Sequence, residues 1–184
     1  EKFWNSKIGL PDFYSSHIGF SGNDLIRKLI IGDFQVNAGQ GLIIWESMAF
    51  GKNANVLTLK REQSFFTPNQ SMSPYKFERG VACELKLNSI SADIFISSRL
   101  HDATVYNDSN GRTYFQSFQE SGLHRTTTET RSMFNVRRYT SGISFKYLRG
   151  ADHIGWNMIA TGFSLPLKKG DAVYQRFSPE GNSF

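Results

Sequence analysis

The chain is poor in several things, and each shortage closes a class of explanation. Its 184 residues contain one cysteine, Cys83. An internal disulfide and a cysteine-based zinc site are therefore excluded. No run reaches 18 apolar residues, so no helix of the chain can span a bilayer. That shortage does not touch transmembrane β-strands, which alternate and keep average hydropathy low. Basic residues exceed acidic ones only by 21 to 16, and they are scattered, the longest groupings being Arg137-Arg138 and Lys168-Lys169. A concentrated basic face, the usual footprint of nucleic-acid binding, is missing, so DNA is not expected as a partner of this segment. The four histidines (17, 101, 124 and 153) lie far apart, without metal-ligand spacing such as His-Glu-x-x-His. No Gly-x-Gly-x-x-Gly or Gly-Lys-Ser/Thr motif supports nucleotide binding at the Gly39-Gln40-Gly41 step.

What the chain has in quantity is aromatic and small residues: 16 phenylalanines and 16 glycines, with a mean hydropathy of -0.38. That balance fits a β-protein better than a helical bundle. Period-two alternation dominates. In "GVACELKLN" Val81, Cys83, Leu85 and Leu87 share a face against Glu84 and Lys86. After Asn88-Ser89, "ISADIFISSRL" places Ile90, Ala92, Ile94, Ile96 and Leu100 against Ser91, Asp93, Ser97 and Arg99. Two alternating runs around a two-residue polar break predict a tight hairpin. A second hairpin is expected from "RRYTSGISFKYL", the turn "RGADH" and "IGWNMIATGFSL". Shorter strands are expected in "DFYSSHIGF", "NVLTLKRE", "ATVYN", "RTYFQSF" and "AVYQRF". Residues 65–76 predict an irregular excursion and 107–112 a turn. Thr126-x-x-Glu129 fits a capping box that would open a short helix. No linker or internal repeat divides residues 1–184, which read as one domain or one piece of one.

Several runs approach ten residues, the length a tilted strand needs to cross the hydrocarbon layer, whereas strands of soluble domains are commonly about five or six. Trp45, Phe77, Tyr106 and Tyr147 would suit an interfacial girdle. The central stretch "GDFQVNAGQGL" then reads as a strand with Asp33, Gln35 and Asn37 on one face and Phe34, Val36 and Ala38 on the other, followed by the strand "LIIW". Two chemical readings compete. Glu84 and Asp93, on adjacent strands, could be a glycosidase-type carboxylate pair, but Lys86, Arg99 and Arg138 on similar polar faces point to a charge ladder instead. In the loop after residue 119, His124 could act as a base, Arg125 could clamp an anion and Glu129 could orient the histidine, or all three could simply pin the loop.

"LIIGDFQVNAGQGLIIW", "SGLHRTTTE" and "VYQRFSPEGN" together resemble the β-barrel region of Bacteroidetes-type outer-membrane proteins catalogued as helix-hairpin-helix domain-containing proteins. The resemblance covers residues 13–184. Family sequences usually carry an aromatic where this chain has Ala38, and commonly differ after His124-Arg125-Thr126. The resemblance implies an outer-membrane barrel of a Gram-negative bacterium, made as a longer protein of which this chain is an internal fragment. It supplies no catalytic residues and no cofactor. The expectation is an all-β, antiparallel, up-and-down β-barrel of outer-membrane type, possibly only part of a larger barrel. It would be non-enzymatic, a pore, transport or secretion-accessory component with membrane lipid and envelope proteins as partners. Lumen residues would be Asp33, Gln35, Asn37, Glu84, Lys86, Asp93, Arg99, Arg138 and Lys146. Phe34, Val36, Val81, Leu85, Ile94, Ile96, Ile143 and Phe145 would face lipid. The alternative is a soluble periplasmic or surface β-sandwich that binds glycan or protein through exposed aromatics.

Overall fold

The computed structural model describes residues 13–22, 25–47, 63–108, 111–150, 152–169 and 179–184. Among them are ten strands and one short helix: β1 (His17–Ser21), β2 (Ile26–Val36), β3 (Phe66–Pro68), β4 (Glu78–Leu87), β5 (Ile90–His101), β6 (Ala103–Asn107), β7 (Thr113–Phe118), α1 (Thr127–Ser132), β8 (Val136–Arg149), β9 (Asp152–Leu167) and β10 (Gly181–Ser183). The protein is all-β. The expected strands at 55–62 and 172–177 lie outside the described residues.

Both predicted hairpins form. Asn88, at φ 51°, turns the chain from β4 into β5, and Gly150, at φ 62°, takes it out of β8. Asparagine and glycine tolerate this left-handed region where other side chains would clash. The β4–β5 register is continuous from Leu87↔Ile90 to Gly80↔Ser97. The strand order is β1-β2-β4-β5-β8-β9-β7-β6, with β3 beside β2 and β10 beside β9. This departs from a strict up-and-down order at one place. The β6–β7 hairpin follows β5 after a single residue, Asp102, yet β7 meets β9 in parallel through the lone pair Phe115↔Leu167. The segment containing α1 then brings the chain back so that β8 lies next to β5.

The chain forms two compact units, one from 15–97 and 141–159, the other from 1–14, 98–140 and 160–184. In each, the pleat face carrying the buried core is here called inner. In the first unit Ile30, Phe34, Val36, Phe65, Phe66, Ala82 and Phe95 form that core. The rings of Phe34 and Phe95 meet edge to face at 5.9 Å, a favoured aromatic geometry. In the second unit Ala103, Phe115 and Val136 are covered by Phe118, Phe163 and Leu165.

The expected strand "LIIW" does not continue β2. Gly39 (φ 57°) and Gly41 (φ 87°) reverse the chain, so that Ala38 N–H donates to the Ile44 carbonyl at 3.0 Å and Asn37 bridges Trp45. Glycines at positive φ, which looked like small residues of a strand, are the turn itself. Gly32 is a different case: it lies inside β2 at φ 113°, and a Cβ there would meet the Ser16 carbonyl and stand 2.8 Å from His17 Cα. Gly32→Ala is expected to cost about 1–3 kcal/mol, from backbone strain and the clash with β1. A denaturant titration of the variant beside wild type checks this, and an unchanged midpoint would refute it.

Candidate membrane-facing surface

The decisive pattern is on β5. Its even residues Ile90, Ile94, Ile96 and Leu100 are exposed, while the odd residues Asp93, Phe95, Ser97, Arg99 and His101 are buried. Ile96 is 62% exposed and Asp93 3%. A water-soluble half-buried strand shows the reverse, with its apolar residues inside. Strand pairing extends the apolar face sideways in the first unit. Ile18 lies opposite Ile31, Ile31 opposite Val81, and Val81 opposite Ile96. One row along, Phe20, Leu29, Cys83 and Ile94 are matched in the same way. Residues directly opposite in a ladder share a face, so these rows form one continuous apolar surface. Beside it Phe145 stacks on Trp156, with ring centroids 6.1 Å apart, and both rings are exposed.

The surface has a polar edge. Two residues beyond Ile31 and Val81 on the same face stand Asp33 and Arg79, paired in the register. The Arg79 guanidinium grips Asp33 with two bonds, Nε to Oδ1 at 2.6 Å and Nη2 to Oδ2 at 2.9 Å. Ser16 N–H adds a bond to Asp33 Oδ2 at 3.2 Å. Bidentate geometry makes this a strong, oriented pair. The Arg79 guanidinium also lies 5.6 Å from the centre of the Phe77 ring.

The inner face of the same unit carries a ladder of charges. Lys28 is opposite Glu84, Glu84 is opposite Asp93, and Lys146 Nζ reaches Asp93 Oδ2 at 3.3 Å. Lys28 Nζ also donates to the Phe66 carbonyl at 2.9 Å and lies over its ring. The glycosidase-type pair therefore stands between two ammonium groups. Further along, Ser97 Oγ donates to the fully buried Glu78 at 2.6 Å.

The nine residues expected on one polar face are divided by this geometry. Glu84, Asp93 and Lys146 come together on the inner face, and Lys86 is exposed opposite Ser91 at the hairpin end. Arg99 is buried on β5 and Arg138 partly buried on β8, both on the inner side. Asp33, Gln35 and Asn37 lie on the opposite face of β2. There Ser47 Oγ donates to Gln35 Oε1 at 3.3 Å, and Asn37 Nδ2 donates to Ser47 Oγ at 2.8 Å. Glu46 Oε2 accepts from Val36 N–H at 2.8 Å. Gln35, Glu46 and Ser47 of this network, with Trp45, Thr67 and Lys76, border a cleft of about 970 Å³. Correspondingly, Phe34 and Val36 are core residues and do not face outward, because Phe65, Phe66 and Phe95 pack with them on that face. Val81, Ile94, Ile96 and Phe145 are exposed on the outer face, with Leu85 and Ile143 half-buried there. Of the expected girdle residues, Tyr147 is exposed on β8 and Tyr106 stacks with Tyr114, whereas Phe77 is buried and Trp45 lines the cleft.

The loop before β8 also differs from expectation in its partners. Thr126 and Glu129 form the capping box at the start of α1. His124 is held by Asp102, its Nε2 2.8 Å from Oδ2, while Asp102 Oδ1 accepts from Phe134 N–H at 2.9 Å. The carboxylate that orients the histidine is thus Asp102, and Glu129 is committed to its own helix. Arg125 is exposed, with its N–H donating to Glu129. Sequence reasoning missed Asp102 because it lies 22 residues from His124. It missed Lys28, Glu78 and Arg79 because only the strand register brings them to their partners. Among the described residues no group of three or more His, Cys, Asp or Glu could hold a metal ion, and no helix is long and apolar enough to cross a membrane.

No protein-family model matches the chain, and neither a curated protein nor a solved structure matches it.

Hydrogen bonds from the Thr126 and Arg125 backbone hold the Glu129 carboxyl below its ordinary value of 4.5. A depressed carboxyl contributes stability that is complete above the unfolded value and is lost as pH falls through the folded one. The cap is therefore expected to persist through pH 4.5 and open only in stronger acid, read as a carboxyl midpoint below that of a free glutamate peptide by NMR. Thr126→Ala should cost about 1 kcal/mol of local stability, seen as faster amide exchange in α1. Exchange indistinguishable from wild type would refute the role of the cap.

Proposed function

We propose that this chain is part of the wall of an outer-membrane β-barrel in a Gram-negative envelope, with lipid as the partner of its outer face. The observation that carries the reading is the inverted alternation of β5, extended by matched apolar rows over β1, β2 and β4. In water these rows would leave a large contiguous apolar surface exposed, which soluble monomers rarely tolerate. In a bilayer the same surface is the stable arrangement where strands are hydrogen-bonded on both sides, as β2, β4 and β5 are, and offer apolar side chains to lipid. The resemblance to the barrel region of helix-hairpin-helix domain-containing outer-membrane proteins points the same way.

Within that reading, the role is non-enzymatic. The inner face of the first unit is filled by Phe34, Phe65, Phe66 and Phe95, and its charges are matched along the ladder. This favours an anchoring, gated-transport or secretion-accessory component over an open diffusion pore, whose inner wall would be hydrated throughout. A second reading rests on the cleft beside Trp45. An indole among amides and hydroxyls suits a glycan, as a soluble surface binder would need.

One substitution separates the two. Ile96→Arg should destabilise the protein by about 2–4 kcal/mol if the side chain faces the hydrocarbon. At a water-exposed position the same change should stay within about 0.5 kcal/mol. Unfolding in detergent micelles or bilayers reads the difference. A purified chain that remains monodisperse in plain buffer would count against the membrane reading.

A further inference from the structure

The apolar rows of the first unit end on β1, whose outer edge is open. β1 pairs with β2 on one side, and among the described residues no strand lies on its other side. The phase of the bonding is fixed at both ends of the strand. Asp33 N–H donates to the Ser16 carbonyl at 2.9 Å, and Gly22 N–H donates to the Arg27 carbonyl at 3.1 Å. The register between them runs without a shift from His17↔Gly32 to Ser21↔Lys28. In an antiparallel ladder bonded and non-bonded pairs alternate. Ile18 and Phe20 therefore exchange bonds with β2, whereas the N–H and C=O groups of His17, Gly19 and Ser21 point away from it.

Nothing on β1 blunts this edge. The strand His17-Ile18-Gly19-Phe20-Ser21 has no proline, lysine or carboxylate, and its register has no bulge. Those are the features with which free edges in water are guarded. Its outward side chains continue the apolar rows and are left open, Ile18 at 76% and Phe20 at 56% exposure. In hydrocarbon, backbone donors and acceptors beside such side chains must be paired. N–H and C=O groups repeating at every second residue are matched by another extended backbone.

We propose that this edge is a seam in the barrel wall: an antiparallel transmembrane strand of the same barrel pairs with β1 through His17, Gly19 and Ser21 and sets apolar residues opposite Ile18 and Phe20. The proposal rests on the membrane reading, which makes the outward residues of the partner apolar. A second copy of the chain does not fit the place. Antiparallel pairing of two β1 strands would insert the two copies into the bilayer in opposite directions. Parallel pairing about a two-fold axis would join the apolar face of one copy to the inner face of the other.

The test uses the protein as its gene encodes it, in phosphatidylcholine bilayers, with urea unfolding followed by tryptophan fluorescence. Proline is tolerated on an edge strand where its missing N–H has no partner. Ile18→Pro removes a bond to β2 and should lower the midpoint in any case. Gly19→Pro removes only the outward N–H and should lower it by a comparable shift. Gly19→Ala, whose Cβ meets nothing within 4 Å, should not lower it. A benzophenone photocrosslinker in place of Phe20 should join an apolar residue of another strand of the same molecule, identified by mass spectrometry of the peptides. A midpoint unmoved by Gly19→Pro, with Ile96→Arg still destabilising, overturns the seam alone, and crosslinks confined to lipid and β2 do the same. A crosslink between two copies overturns the choice of partner. Tolerance of Ile96→Arg overturns the membrane reading, and the transmembrane partner with it.

Discussion

The register of β2, β4 and β5 governs the surfaces of the first unit. With Ile31 opposite Val81 and Val81 opposite Ile96, every apolar outer residue finds an apolar neighbour. The intervening residues Lys28, Glu84 and Asp93 then meet on the other face as alternating charges. A slip of one residue in β4 would move Glu84 to the apolar face and Val81 toward the phenylalanine core. Because the side-chain period of a strand is two, no intermediate arrangement exists. Lys146 completes the ladder from β8, so the charge pattern and the apolar rows lock the same pairing from opposite sides.

The phenylalanine core is a consequence of this arrangement. Once the charged ladder occupies one level of the inner face, the neighbouring level holds Ile30, Ala82 and Phe95. Small residues at that level leave room for rings. A Cβ on Gly142 would collide with the Phe95 ring, so the glycine makes space for the aromatic. Phe65 and Phe66 then enter from the segment that folds back on β2, and β3 pairs with the end of β2 to hold them there. The polar residues Asp33, Gln35 and Asn37 are left on the far side of the strand, where Arg79, Ser47 and Glu46 satisfy the buried donors and acceptors around them. A buried polar group left unmatched costs more than a typical hydrogen bond contributes, which explains why so many amides and hydroxyls gather at one place.

The second unit relies on latches rather than on one long ladder. Asp102, the single residue between β5 and β6, accepts from Phe134 N–H and holds His124. Asn135 Nδ2 bonds the carbonyls of Ala103 and Arg131. These contacts tie the loop containing α1 to the start of β6, from which β8 departs. They also explain why a loop rich in chemically active residues is structural in form: each titratable side chain with a resolved partner is bound to backbone or to a neighbour in the same latch.

What the sequence determined by itself is whatever depends on neighbours a few residues away. The alternating runs around Asn88-Ser89 and around residue 150 made both hairpins legible, and Thr126-x-x-Glu129 announced its own helix. Hydropathy alone also separated Ile94 and Ile96 from Asp93 and Ser97. It could not decide the phase of one strand against the next, because Asp33 and Glu84 look equally polar and only pairing shows that they occupy opposite faces. Nor could it foresee that Gly39 and Gly41 would reverse the chain, that Phe65 and Phe66 would pack with Phe34 and Val36, or that Asp102 would seek out His124. Those outcomes were decided by tertiary structure, for one physical reason. A strand's own pattern says that its two faces differ, but which face is buried depends on what packs against it.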